Sequence, residues 1–416
     1  CHNWPRWRLP WATRGEWWLR RPARSGPMIG LGLVTLWLAL LLGWGWRLRG
    51  ALRVLWCEPC LSRPVLIFES DDWAPAPPTQ QAALNRLIDT LAAFRDAVDH
   101  PPVMTLGLVL SAPVQQAGQL QIRQFDEPAA EPLRAVIQRG IDAGLFSPQL
   151  HGAAHYWPAA FADWLAGDSA AGQWWGDAAN LRTETLPSAL QSRWWNPRLD
   201  PPAAPAAAEA EAAAEAEATL FQRCFGEPPR VAVPPTFLWQ EAVETGWRRG
   251  GVRHVVTPGR RWQARDATGR LRDAGVVLHN GQRSRQGLGY LVRECYFEPE
   301  RGHTAEDGLR ALTQQSRLAR PTLLEIHRSN FIGDSALCER ALQELQRLLE
   351  QALRHHGELR FLSTLELAER IDRNDADWML HQPLQRLKFF VRRGAIEPGL
   401  SRWFKLSGLF LLAGRG

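Results

Sequence analysis

From residue 64 onward, short apolar runs alternate with longer stretches in which apolar positions recur every three or four residues. The runs VLIF (65–68), VMTLGLVL (103–110), RVAV (230–233), VRHVV (252–256), YLVRECYF (290–297) and TLLEIH (322–327) predict strands. The segments QAALNRLIDTLAAFRDAV (81–98) and PLRAVIQRGIDAG (132–144) predict amphipathic helices. Strands that alternate with helices predict parallel pairing through crossover helices, an α/β chain closing as a (β/α) barrel. The low-complexity run PPAAPAAAEAEAAAEAEA (201–218) is rich in the strong helix formers Ala and Glu and predicts a solvated helix. No repeat of fixed period interrupts the pattern.

Both ends differ from this middle. Between Arg24 and Arg47 lie 22 residues without a charge, centred on IGLGLVTLWLALLLGWGW (29–46). That length crosses a hydrocarbon core of about 30 Å, and Trp37, Trp44 and Trp46 supply interfacial aromatics. The basic, bulky sequence that follows, RLRGALRVLWCEP, offers no small-residue cleavage site, so an uncleaved anchor is expected over 28–46. Residues 1–27 are expected to be an extension, residues 47–63 a juxtamembrane linker, and residues 374–416 a basic amphipathic tail. LQRLKFFVRRG (384–394) and the apolar LSGLFLLAG (406–414) belong to that tail; the latter is too short to span a membrane but able to lie on one.

Composition changes this picture little. All but two of the 49 basic residues are Arg, the exceptions being Lys388 and Lys405, and they are scattered among 43 acids for a net charge of +6. A nucleic-acid binder gathers its cations on one face or tail, so nucleic acid is excluded as a partner. Six cysteines in 416 residues are too sparse for a disulfide scaffold. Cys57 and Cys60 form a close pair that lacks the two further ligands of a structural zinc site.

Three segments carry chemistry. In LIFESDDWA (66–74) an apolar strand runs into Asp71 and Asp72, at the strand end where barrels keep catalytic groups. In PQLHGAAHYW (148–157), His151 and His155 are spaced four apart, which on a helical turn turns both imidazoles toward one metal. In LLEIHRSNF (323–331) a second apolar strand ends in His327, followed by Arg328, Ser329 and Asn330. Asp72 with the two histidines makes a three-ligand set that leaves positions open for water. Aromatic residues flank these motifs: Trp73, Tyr156, Trp157, Phe237 and Trp239, all suited to stacking on a sugar.

An Asp pair after a strand, then HxxxH, then a late strand ending in His resembles the polysaccharide deacetylases of carbohydrate esterase family four. A less-studied bacterial branch is matched more closely, through FESDDW, PQLHGxxHYW, PPTFLW, GYLVRECYFEPE and IHRSNFIG, over residues 64–373. The resemblance implies a distorted (β/α) barrel of the glycoside hydrolase and deacetylase type. It implies Asp72, His151 and His155 as ligands of one divalent metal ion, zinc in most of the family, Asp71 as general base and His327 as general acid. The chain departs from the family where an Arg-x-Pro-Tyr sequence usually braces the base. Here the stretch reads RVAVPPTFLW (230–239), with Arg230 in place and Arg293 and Glu298 as other replacements. The Asp pair also precedes His151 by a longer gap than usual.

The expected activity is removal of an acyl group, in the first instance acetyl, from an N-acylated saccharide of a surface polymer or its lipid-linked precursor. Trp73, Tyr156, Trp157, Trp239, Arg293, Arg328 and Asn330 are the expected substrate contacts. The alternatives are another metal-dependent glycan hydrolase on the same barrel and a barrel that binds glycan without turnover. The anchor implies a single-pass protein of the bacterial inner membrane. Arg14, Arg20, Arg21 and Arg24 precede the span; Arg47, Arg49 and Arg53 follow it. Four against three favours a cytoplasmic N-terminus and an exported catalytic domain; a start at Met28 would remove the first group and place the catalytic domain on the cytoplasmic side, the expected orientation, with the segment Arg386 to Arg393 against the anionic leaflet.

Overall fold

The computed structural model describes residues 26–116, 119–167, 171, 174, 186–266 and 269–413. The expected extension lies outside the described residues as far as residue 25. The chain divides into two units, Cys1–Arg49 and Gly50–Gly416. The N-terminal helix runs from Gly26 to Cys57, past the expected end of the anchor and through most of the expected linker. Its segment Leu31–Cys57 is long and apolar enough to cross a membrane.

The second unit is built on a curled sheet of parallel strands. In chain order these are β1 (Val65–Trp73), β2 (Met104–Leu108), β5 (Phe146–Leu150), β6 (Val231–Ala232), β7 (His254–Thr257), β10 (Gly289–Val292), β11 (Cys295–Tyr296), β12 (Thr322–His327) and β13 (Arg360–Phe361). Two antiparallel hairpins, β3 (Ser111–Gln116) with β4 (Gln119–Gln124) and β8 (Arg260–Arg265) with β9 (Leu271–Val277), stand apart from it. The sheet order is β10-β7-β6-β5-β2-β1-β12-β11, with β13 beside β1. This is the expected α/β barrel, left open between β10 and β11. YLVRECYF, expected as one strand, is therefore two strands at opposite edges of the sheet. Only Arg293 and Glu294 separate them, so the chain crosses the opening there.

Period-two alternation sorts β1 into two faces. Leu66 and Phe68 turn outward under the helix layer, in the main core with Leu106, Leu324 and Phe361. Val65 and Ile67 turn into the barrel, with Val231, Val256, Leu291 and Leu323, and Leu367 and Ala368 of the helix Thr364–Arg373 close its base. The register sets Ile67 beside Leu323, Glu69 beside Glu325 and Asp71 beside His327. The inner column thus changes from apolar to ionisable toward the strands' C-terminal ends.

Two expectations need correction. The Ala/Glu run forms the helix Ala207–Phe225, but it is not solvated all round: Ala210, Ala214, Ala218 and Phe221 are buried. Their small Cβ atoms let the helix Glu241–Arg249 come so close that a Cβ on Gly246 would lie 2.2 Å from the Glu211 carbonyl oxygen. The C-terminal segment, expected as a basic amphipathic tail, is folded and partly buried. It forms the helices Pro383–Ile396 and Ser401–Leu406, burying Val391, Arg393 and Phe404. Arg393 donates to the carbonyls of Leu318, Glu58, Pro59 and Ala319, so it faces inward rather than toward a leaflet.

Arg393 also pairs at 3.3 Å with Glu58, whose carboxylate takes two further bonds, 2.8 and 3.0 Å, from Arg320. Burial alone would raise the Glu58 pKa, but Arg393 and Arg320 prevail and lower it. Replacing Glu58 by Ala would leave the buried Arg393 guanidinium without its carboxylate and the half-buried Arg320 with only Glu397, 4.0 Å away, a loss of about 3–5 kcal/mol. Thermal unfolding of the detergent-solubilised chain should show a clear drop in melting temperature; an unchanged midpoint would show the cluster to be dispensable.

Candidate active site

At the end of β1 two adjacent carboxylates reach one cavity, which a regular strand forbids because neighbouring side chains point to opposite faces. The pairing with β2 shifts register between Ser70 and Trp73, and Asp72 takes a left-handed φ of 74°. Asp71 keeps its place on the inner column, while the irregular backbone turns Asp72 to the same opening. Room for Asp71 comes from β2, where a Cβ on Gly107 would sit 2.2 Å from Asp71 Oδ1.

His151 and His155 follow β5 on a loop, not on a helical turn. The loop bends at Gly152, with φ 85°, and is tied by Leu110 N to the Gly152 carbonyl at 3.0 Å. Ala153 N, between the histidines, donates to Glu217 Oε2 at 2.9 Å. Glu217 is a buried carboxylate of the helix Ala207–Phe225 and also accepts from Trp247 Nε1 at 2.7 Å. The Ala/Glu run therefore fixes the histidine loop.

Three atoms converge: His155 Nε2 lies 2.9 Å and His151 Nε2 3.3 Å from Asp72 Oδ1, and the two nitrogens are 2.7 Å apart. His151 Nδ1 is 2.9 Å from the Val233 carbonyl oxygen, which can only accept, so the proton sits on Nδ1 and the Nε2 lone pair faces inward. A carboxylate oxygen with no hydrogen-bond partner and inward imidazole nitrogens suit a divalent cation such as zinc. Burial would raise the Asp72 pKa, but His155 and His151 overcome it and hold the carboxyl well below the usual range. A second group, Asp71, Glu325 and His327, is close enough to share an ion, but Arg293 already supplies its positive charge.

Arg293 is the brace for Asp71. It is buried, with Nη2 at 2.6 Å from Asp71 Oδ2, Nη1 at 2.6 Å from Glu69 Oε2 and Nε at 3.1 Å from Glu325 Oε2. Burial would raise the Asp71 pKa, but Arg293, His151 and His327 outweigh it and lower it. For Glu69 and Glu325 burial wins and both pKa values rise, as one guanidinium cannot fully offset three carboxylates. Asp71 Oδ1 keeps no hydrogen-bond partner.

His327 faces Asp71 across the register and is braced in turn. Its Nδ1 lies 2.5 Å from Glu298 Oε1, and Asn330 Nδ2 donates to the other oxygen of Glu298. Burial would lower the His327 pKa, but the bond to Glu298 and the charges of Asp72, Glu298 and Glu325 push it up to about 10. The cavity that joins these groups has a volume of about 110 Å³ and is completed by Gln191, Pro234, Thr236 and Phe237. Thr236 and Phe237 both have φ 54°, and the Phe237 ring lies 5.4 Å from the Arg293 guanidinium carbon.

The structure thus brings Asp71, Asp72, His151, His155 and His327 together and places most of the expected substrate contacts elsewhere. Trp73 and Trp239 are fully buried, donating to Ser70 Oγ at 2.9 Å and Glu244 Oε1 at 2.8 Å, so neither offers a ring to a sugar. Tyr156 is buried and stacked on Phe161 at 4.1 Å, and Trp157 is covered by Arg193. Arg293 and Asn330 hold Asp71 and Glu298 rather than a ligand. Arg328 donates to the Ala76 carbonyl and Gln80 Oε1, fixing the chain after β1. Arg230 is not among the cavity residues, and Glu298 holds His327 rather than Asp71. Glu69, Glu325 and Glu217 were not expected. The first two had a signal, since Glu69 with Asp71 and Glu325 with His327 are two apart and share a strand face.

No protein-family model matches the chain, and no curated protein is similar to it. Among solved structures, it resembles a putative polysaccharide deacetylase from Mycobacterium smegmatis, with a TM-score of 0.41 and 11% identity over 78% of this chain and 99% of that one. It also resembles the peptidoglycan deacetylase PdaC from Bacillus subtilis, with a TM-score of 0.35 and 10% identity over 76% and 95%. A 4-alpha-glucanotransferase from Thermococcus litoralis gives a TM-score of 0.39 and 10% identity over 74% of this chain and 40% of that one.

Proposed function

We propose that this chain is a metal-dependent hydrolase that removes an acyl group, acetyl in the first instance, from an N-acylated sugar of a surface polysaccharide or its precursor. The observation that carries the reading is the convergence of Asp72, His151 and His155 beside an Arg-braced Asp71 and a Glu-braced His327 on one cavity. The order of motifs, similar to that of polysaccharide deacetylases, supports the same chemistry.

A zinc-type ion held by Asp72, His151 and His155 would supply Lewis acidity to the acyl oxygen and acidify a water. Asp71, kept ionised by Arg293, has Oδ1 free to take a proton from a water in the cavity as the water oxygen attacks the acyl carbon. His327 carries a proton through the neutral range and gives it to the sugar nitrogen as the carbon–nitrogen bond breaks. The products are the free acid and the amino sugar. A cation at Asp72 would cancel that residue's part in raising the His327 pKa and make the imidazolium a better acid. The N-terminal helix would anchor the enzyme in the membrane in which such saccharides are carried.

Changing His151 to Ala should lower bound zinc, read by elemental analysis, and acetate release in parallel; full metal content in the variant would refute the ligand set. Asp71→Asn should retain the metal and lose about two to four orders of magnitude in kcat, the range for a general base. Turnover near the wild-type rate would sink the base assignment.

Glu298→Gln removes the carboxylate that raises the His327 pKa. The acid form, intact below the folded pKa, should then be lost at lower pH, moving the alkaline limb of kcat/KM down by about one unit or more. An unmoved limb would show that another group protonates the amine.

A further inference from the structure

We propose that the helices Pro383–Ile396 and Ser401–Leu406, with the turn after them, form a second membrane contact. They would lie on the anionic headgroups of the bilayer that the N-terminal helix crosses, and the proposal rests on reading that helix as a span. Three observations point to this occupant.

The first is charge. Between Trp378 and Ala413 there are six cationic residues and one acid, Glu397, which turns inward to within 4.0 Å of Arg320. Arg386 and Arg393 are also turned inward, but Lys388, Arg402 and Lys405 stand exposed. The outer face therefore carries positive charge alone, complementary to acidic lipid.

The second is apolar exposure among those cations. On the first helix Leu384 is 83% and Ile396 59% exposed, and the exposed Lys388 follows Leu384 by one turn on the same side. After the second helix Phe410 is 42% and Leu411 72% exposed. Apolar and cationic side chains together on an exposed surface are the composition of helices that lie in a bilayer interface.

The third is continuity with the helix that would span. The 27 residues of Leu31–Cys57 extend about 40 Å at 1.5 Å per residue, the thickness of a bilayer with its headgroup layers. Trp56, at the end of that length, packs edge-on against Phe390 with ring centroids 5.4 Å apart. Arg386 donates to the Trp56 carbonyl at 2.6 Å. The C-terminal helices are thus pinned to the residue that such a span would place at headgroup level, where Trp is favoured.

The test uses the full chain reconstituted into phosphatidylcholine vesicles containing phosphatidylglycerol. A dansyl-bearing amino acid is placed singly at Leu384, Leu411, Leu38 within the span, or Val98, which is 60% exposed on the barrel. Nitroxide-labelled lipid should quench the probe at Leu384 and Leu411 about threefold or more beyond Val98. Lys388→Glu combined with Lys405→Glu should return both to the Val98 level. If Leu384 and Leu411 respond to aqueous iodide as Val98 does, while Leu38 is quenched from lipid, the second contact is overturned and the span stands. If Leu38 is also open to iodide, the span fails and the proposal with it. Shielding of Leu384 from both quenchers would mean that protein, such as a second copy of the chain, covers the face, which also overturns the proposal.

Discussion

The site depends on one guanidinium held among three carboxylates. Once β1 and β12 pair in their observed register, Glu69, Asp71 and Glu325 all face the barrel interior, where ionised groups without a counter-charge are strongly disfavoured. Arg293 meets all three, and it comes from the two residues that carry the chain across the open side of the barrel, between β10 and β11. The contact that joins the two edges of the sheet is therefore the same contact that ionises and orients Asp71. Breaking such a pair by removing one partner costs about 3–5 kcal/mol, because the remaining charge stays buried. Folding of the seam and basicity of the site are linked through a single side chain.

The cluster of Asp72, His151 and His155 is supported separately. Neither His151 nor His155 touches Arg293; their loop hangs instead from Glu217 on the outer helix layer and from the Val233 carbonyl. Glu217 is itself fixed by Trp247 of the helix Glu241–Arg249, which approaches closely because Gly246 has no side chain. Two supports thus meet at the cavity, one electrostatic and central, the other a packed helix pair at the periphery. The helix pair can be perturbed without discharging the carboxylates, so the placement of the histidines and the charge of Asp71 rest on separate contacts.

Much of this was legible in the residues, for identifiable reasons. TLLEIH coincides with β12, and VLIF begins β1, because a strand buried on both faces leaves a continuous apolar run. The five residues expected at one site line one cavity. β5 was hidden because FSPQL carries Ser, Pro and Gln, and its place between β2 and β6 comes from partners far away in sequence. The sugar-stacking aromatics failed for a related reason: proximity to a motif in sequence says nothing about which layer a ring enters, and Trp73 and Trp239 enter the core. The Ala/Glu run concealed Glu217, since one buried carboxylate among repeated glutamates has no local signature. Arg293 was recognised as a possible brace but was also expected to contact substrate. Only the break of YLVRECYF into two strands puts it across the opening.

The two adjacent aspartates show what such a site demands of its backbone. In a regular strand Asp72 would point away from Asp71 and into the helix layer, a buried charge with no partner. The observed solution is a register shift and a left-handed φ at a residue with a Cβ, a conformation costing about 1–3 kcal/mol. Asp and Asn tolerate that region better than other side-chain-bearing residues, because their short polar groups bond locally. The strain is held in place from both sides: Val109 N bonds the Trp73 carbonyl at 2.8 Å, and the Trp73 indole bonds Ser70 Oγ. Trp73 thus closes a tight loop around the Asp pair from within the core. Its burial, which removes it from any sugar, is what keeps both carboxylates at the mouth of one cavity.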